Sequence, residues 1–430
     1  MIITGTFAVL LTISFTFSIF YDQDFYEYHL GVGQRISVSP NDLWLLFSYY
    51  ENENEAIYRG SIENGTVEKV AEQEDSNLRK PQYAPDGDGF LYLAAANDRV
   101  QSLYYKRTIG TEQRRLTDSN LHIADAAFSP DGNVIYFIAI PSEDYLKPEG
   151  EKENGADLFS FAIDGGELVK LTDKDSFAMD RLTVSADGKT LYYSEFDGVQ
   201  RLMAYSLEEG ADTAFAQNYL NGDVYQPVLS PNEELLAFTA VSDESRQQGS
   251  TFEYELFLMD SSTGETDRLT DFTASVTSPV FFHHENRLAF LMQPNWPSEP
   301  AIFQTMTVDA SSGEITPLEL KLPEQKNAFQ ASVLVYWFTN PLIMTSLYLL
   351  LFSSWTIYSR LAWNKVFLPT KISAVVAGIV IAGSFISAAF DPWMGIGLFM
   401  LAAGLAACTV VLFVFALIYS KFEPQRSMSK

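Results

Sequence analysis

The chain has 430 residues, 47% of them apolar, with 55 acids against 28 bases and a net charge of −27. Residues 326–430 hold only Asp391 and Glu423 against seven bases, which leaves 53 acids and 21 bases before them and a net charge of −32 there. Such a surface repels phosphate backbones and excludes nucleic acid as a partner, and the single cysteine, Cys408, excludes an internal disulfide framework.

Ile2 to Phe20 carries no charge over nineteen residues, long enough to cross a bilayer, with Tyr21 and Asp22 marking the exit. No base precedes it and Ser18-Ile19-Phe20 makes a poor cleavage site, so residues 1–21 read as an uncleaved anchor rather than a signal peptide.

The next three hundred residues repeat one unit six times. Its hairpin turns are Ser39-Pro40-Asn41-Asp42, Ala84-Pro85-Asp86-Gly87, Ser129-Pro130-Asp131-Gly132, Ser185-Ala186-Asp187-Gly188, Ser230-Pro231-Asn232-Glu233 and the divergent Phe282-His283-His284-Glu285. Their second positions lie 45, 45, 56, 45 and 52 residues apart. Proline presets the first corner, and Asp, Asn or Gly tolerates the next. An apolar strand follows each turn, such as Trp44-Leu45-Leu46-Phe47 or Phe90-Leu91-Tyr92-Leu93, nearly continuous as in a strand covered on both faces. A third strand follows, and a fourth ends three times alike, in Arg115-Leu116-Thr117-Asp118, Lys170-Leu171-Thr172-Asp173 and Arg268-Leu269-Thr270-Asp271. Four antiparallel strands in about 45 residues are the signature of a propeller blade, so residues 22–325 are expected to form a six-bladed all-β propeller.

The Ser-Pro-Asp-Gly turn, the aromatic strand after it and the Arg-Leu-Thr-Asp ending resemble the repeats of the TolB-like, WD40-related propellers. The resemblance covers residues 25–320 and implies a non-enzymatic propeller held outside the cytoplasm. The same propellers form the non-catalytic domain of prolyl-oligopeptidase-type peptidases, so the fold alone does not name a function.

Insertions break the repeat at 141–156, 242–253 and Pro294-Asn295-Trp296-Pro297, all between second and third strands and so all on one face. A loop cluster on a rigid scaffold is a usual place for recognition, which nominates Glu143, Asp144, Tyr145 and Trp296 as the surface that meets a protein, peptide or glycan.

Three further apolar segments run over residues 333–358, 372–390 and 393–420. The loop with Arg360, Lys365 and Lys371 and the tail with Lys421, Arg426 and Lys430 are basic, hence cytoplasmic, which puts the acidic domain outside. Asn340-Pro341 reads as a kink, and Ala374, Gly378 and Ala382 form a smooth strip for another membrane protein, with Ala403 and Ala407 offered by the next helix.

Catalytic motifs are missing. No Gly-x-Ser-x-Gly elbow occurs, and Gly188-Lys189-Thr190 is a blade turn without the glycine a phosphate loop needs. His283-His284-Glu285 and Asp86-Gly87-Asp88-Gly89 read as turns rather than metal ligands, so no cofactor or metal is expected. The alternative to a binding module is a hydrolase or lyase with its active site in the propeller channel. Buried acids or histidines converging there would favour it.

Overall fold

The computed structural model describes residues 2–20, 31–51, 54–95, 99–148, 150–215, 224–248, 252–298, 301–323 and 337–422. The expected membrane exit at Tyr21 and Asp22, Lys326 and the tail bases Arg426 and Lys430 lie outside them. The chain divides into two compact bodies, residues 26–329 and residues 1–25 with 330–430.

The larger body is made of antiparallel strands in chain order. Four-stranded units occupy residues 31–71, 77–115, 121–170 and 178–214. Residues 225–317 form an eight-stranded sheet whose two four-stranded halves are joined in the strand ladder by the parallel pair Tyr254 and Ser275. The turns are built as their residues dictate. Ser39, Ser129, Ser185 and Ser230 each donate to Asn41, Asp131, Asp187 or Asn232 at 2.6 to 2.7 Å. The same hydroxyls accept the amides of Trp44, Val134, Thr190 and Leu235 at 2.9 Å, so one side chain closes each hairpin.

The recurring Leu-Thr ending is also a fastener. Thr117, Thr172 and Thr270 accept the amides of Leu103, Leu158 and Leu256 at 2.9, 2.9 and 2.8 Å, which ties the end of each fourth strand to the third. Thr172 and Thr270 then donate to the buried acids Asp157 and Glu255 at 2.7 and 2.5 Å. Those carboxylates accept the amides of Lys174, Phe272 and Thr273, which lead into the next unit.

Second strands are buried along their length because a neighbouring unit covers each face. Leu46 and Ile57 pack with Leu78 and Phe90 of the next unit, and Leu91 and Leu93 with Ile123 and Phe137 of the one after. Each large side chain removed from water this way contributes about 1.5–3 kcal/mol. The first unit shares a core with the last, since Val32, Leu45 and Phe47 pack with Phe282, Leu291 and Phe303. The chain beyond the last strand returns to the first unit, where the Lys321 amide donates to Gly65 O at 2.8 Å. Gly65 has φ +71, and a Cβ there would meet Glu319 O at 2.0 Å, so only glycine admits this approach.

The second body is helical. The apolar helix Ile2–Phe20 lies against Pro341–Trp363, where buried Ser14 donates to Phe338 O and Phe17 stacks on Phe338 at 5.8 Å. Among the described residues, Pro341–Trp363, Leu368–Ala388 and Pro392–Lys421 are long and apolar enough to cross a membrane. Tyr348, Ser373 and Thr409, one from each, share a hydroxyl chain at 2.8 and 2.7 Å. Asp391 caps the last helix by accepting the amides of Trp393 and Met394.

Three expectations are corrected. Asn340-Pro341 does not kink a helix but starts one, because Asn340 caps it and proline occupies the first turn, where its missing amide costs nothing. Ala403 and Ala407 are exposed; the buried small residues of the last two helices are Ser373, Ala377, Ser384, Ala402, Cys408 and Ala416, and Ser373 bonds Thr409 between them. Arg360 and Lys371 belong to helices, Pro341–Trp363 and Leu368–Ala388, rather than to the loop, and the Arg360 guanidinium donates to Tyr419 O and Phe422 O, satisfying carbonyls at a helix end.

Candidate functional site

Of the first strands of the units, Gly31–Val38 packs beside Asn77–Tyr83 and Ser275–Phe281, Ala178–Val184 beside Leu121–Phe128 and Tyr225–Leu229, and Tyr225–Leu229 beside Ser275–Phe281. Each carries a β-bulge against its second strand. At the bulge, five residues before the second turn position, stand Arg35, Lys80, Asp125, Arg181, Gln226 and Ser278. Lys80, Arg181, Gln226 and Ser278 have φ between +50 and +57, a left-handed conformation that side chains seldom adopt. A bulge re-aims a side chain, and strain of this kind clusters where a site is held.

Polar contacts at these bulges join separate units. Arg35 of the first unit forms an ion pair with Asp125 of the third, passing the second. Asp125 Oδ2 also accepts the Leu182 amide at 3.0 Å, and Oδ1 accepts its own neighbour Ala126 at 2.9 Å. Lys80 Nζ donates to Ala124 O at 2.7 Å. Gln226 Oε1 accepts Thr277 Oγ1 at 2.6 Å together with the Ser278 amide.

Burial pushes the Asp125 carboxyl up, but Arg35 and Lys80 outweigh it and hold the group below its usual value. Burial pulls the Lys80 ammonium down, against the attraction of Asp125. Burial, then the charge of Arg35, pulls the Arg181 guanidinium down to about 10. Arg35 is paired with Asp125, and Lys80 and Arg181 both feel the charges of Asp125 and the exposed Asp180. Asp125 accepts from Arg35 and the Leu182 amide on Oδ2 and from the Ala126 amide on Oδ1, which leaves one of its lone pairs on Oδ1 uncommitted.

The residues nominated from sequence lie at the other strand ends and in two places. In the 141–156 insertion Glu143 is exposed, while Asp144 is 3% exposed and accepts Lys147 Nζ at 2.8 Å, the Glu153 amide at 3.1 Å and Asn154 Nδ2 at 2.5 Å. Tyr145 is half-buried and stacks on His122 with centroids 3.4 Å apart. Burial, then the charge of Lys80, holds His122 down at about 3. Trp296 is half-buried, packs edge-on against Tyr254 and donates from Nε1 to Phe252 O at 2.9 Å, which joins the insertions of the last two units. His283 and His284 serve the turn through their backbone, donating to Asp42 at 2.8 and 2.7 Å.

These bulge residues were not found by motif search, because they share a register position and no residue type. The signal was present all the same. Counting back five residues from each turn returns a polar residue every time, and in Lys80-Pro81, Gln226-Pro227 and Ser278-Pro279 a proline follows it, as a bulge permits.

No protein-family model and no curated protein matches the chain. The structure is similar to TolB from Acinetobacter baumannii, with a TM-score of 0.51 at 15% identity over 70% of this chain, and spans 65% of that protein. It is also similar to a putative TolB from Agrobacterium tumefaciens, TM-score 0.48 at 16% identity over 61% of this chain and 87% of that one. The oligogalacturonate lyase of Vibrio parahaemolyticus scores 0.44 at 11% identity over 61% and 86%. At such identities the likeness shows the fold alone, a TolB-like β-propeller, here joined to apolar membrane helices.

Proposed function

We propose that this protein is a membrane-anchored, extracytoplasmic binding module without catalytic activity. In this reading residues 22–325 close into a six-bladed propeller, residues 1–21 and 326–430 anchor it, and the basic loop and tail are cytoplasmic. It recognises a protein or peptide through the face that carries Glu143, Tyr145 and Trp296, with Asp144 holding the loop that presents the first two. Ala374, Gly378 and Ala382, all exposed on their helix, offer a close approach to a second membrane protein.

The observation that carries the reading is that the insertions are built rather than loose. Asp144 spends its oxygens on three partners within its own loop, and Trp296 is fastened to Phe252 O. A recognition surface held by such supports loses little entropy on binding. The hydrolase or lyase alternative draws on buried Asp125, which is engaged by Arg35 and two amides. Photo-crosslinking residues placed at Glu143 and Trp296 in intact cells are expected to yield discrete adducts that a probe at Asp187, on the opposite end of the strands, does not. Equal labelling from all three positions, or none from the first two, would refute the surface.

A further inference from the structure

We infer that the recognition face carries an apolar anchor, Phe177 with Phe196 and Val199, whose partner is a protein segment presenting an apolar side chain flanked by lysine or arginine. The inference rests on the reading of that face given above and names what the face selects.

The anchor follows from how the chain enters the fourth unit, where Lys174, Asp175 and Ser176 are each fastened. Lys174 Nζ donates to Tyr193 at 3.2 Å, Glu195 at 3.0 Å and Asp212 at 2.5 Å. Buried Ser176 donates to Glu195, and its backbone pairs with Ala156 at the end of the 141–156 insertion. Asp175 Oδ1 accepts the Gly155 amide at 3.1 Å, and the residue holds φ +50, a conformation that a rigid surrounding maintains. Only glycine admits this approach, since a Cβ at Gly155 would come within 2.3 Å of the Asp175 carbonyl. Asp144 accepts Asn154 just before it, so one run of contacts joins the loop to the residues that present Phe177.

After three fastened residues, Phe177 is 65% exposed. Phe196, at the end of the strand Thr190–Phe196, is 39% exposed, and the two ring centroids lie 6.3 Å apart. Val199 is 47% exposed, and its carbonyl accepts the Asp197 amide at 3.3 Å. Aromatic side chains left in water add little to folding stability, whereas a fixed backbone beneath them lowers the entropy that a contact loses. Grouped apolar side chains on a charged surface mark an interaction site.

The neighbouring units leave room for a partner. The link between second and third strands here is only Asp197-Gly198-Val199, while the units on either side carry the 141–156 and 242–253 insertions at that place. Charge then selects the occupant. Asp175, two residues before Phe177, and Asp197, next to Phe196, are exposed, as is Glu143 on the adjoining insertion. Lys147 is paired with Asp144 and Lys174 with Glu195 and Asp212, so exposed Arg201 is outnumbered by these acids. Basic residues beside an apolar side chain meet them favourably, and an acidic segment is repelled.

The test places benzoylphenylalanine at Val199 or at Glu143 of the full-length protein in intact cells and maps the crosslinked residues by mass spectrometry. The Val199 probe is expected to mark an apolar residue beside lysine or arginine in a partner protein. Adduct yield from Glu143 should fall roughly tenfold or more in Phe177→Ser and in Asp197→Lys, and persist in Phe177→Leu. Both positions are exposed, so thermal melting of the purified variants should match the parent, and Asp197→Lys serves if Phe177→Ser does not fold. No adduct from either probe would defeat the face and the anchor together. Adducts from Glu143 with none from Val199, or yields unchanged in the folded variants, would overturn the anchor and leave the face standing. A lipid, a second copy of this chain or an acidic segment marked from Val199 would overturn the partner's chemistry.

Discussion

Asp42, in the first hairpin turn, accepts the backbone amide of His283 at 2.8 Å across 241 residues of chain. Its second oxygen takes the amide of His284 at 2.7 Å. The divergent last turn thus hands its amides to the first unit instead of closing through a serine. Asp42→Ala leaves two amides short of an acceptor and is expected to cost about 2 kcal/mol, read as a lower thermal midpoint of the β body. Asp42→Asn keeps one acceptor and should cost less. Equal melting of the two variants and the parent would show that this seam does not hold the first and last units.

Asp144 is expected to act on its loop alone. Asp144→Ala releases Lys147, Glu153 and Asn154 together, so the 141–156 segment should be cut by a soluble protease on the order of tenfold faster, while the rest of the domain keeps its resistance. A cleavage rate equal to the parent's would mean the loop is held by something else.

His122 gives the domain a specific pH response. It is buried and neutral when folded, at about 3, whereas an exposed histidine titrates near 6.5. The unfolded chain therefore binds more protons between these values, and stability is full above about 6.5 and declines as the pH falls toward 3. The contribution is a few kcal/mol at most. Replacing it by His122→Gln, whose amide oxygen can still accept the Gln101 amide, should flatten urea-unfolding midpoints over that window relative to the parent. Parallel pH curves for the two proteins would contradict the assignment.

Orientation in the membrane has a direct readout. In a Cys408→Ser background, a maleimide that cannot cross membranes should label Asp187→Cys in intact cells and reach Lys371→Cys only after lysis. Labelling of Lys371→Cys in intact cells would invert the proposed topology.

Much of the architecture was legible because repeats and apolar runs are local features. Each turn serine needs only a partner two residues on and an amide five residues on, so Ser129-Pro130-Asp131-Gly132 declares its hairpin without help from the rest of the chain. The membrane helices declare themselves by length and hydropathy. Their seams did not, because the seam is set by which small residues meet, and Ala402 and Ala403 differ only in the direction they face.

The sequence by itself determined the order of strands within each unit, the placement of the turns and the division into a β body and apolar helices, since all of these follow from periodicity and short-range hydrogen bonding. Only the tertiary structure decided what the polar residues do. Asp144 looked like a contact for partners and instead holds its loop, because three donors close over it within ten residues. Arg35 and Asp125 are 90 residues apart and Gln226 and Ser278 52 apart, and each pair meets because bulges at the same register position of separate units turn these residues toward one another.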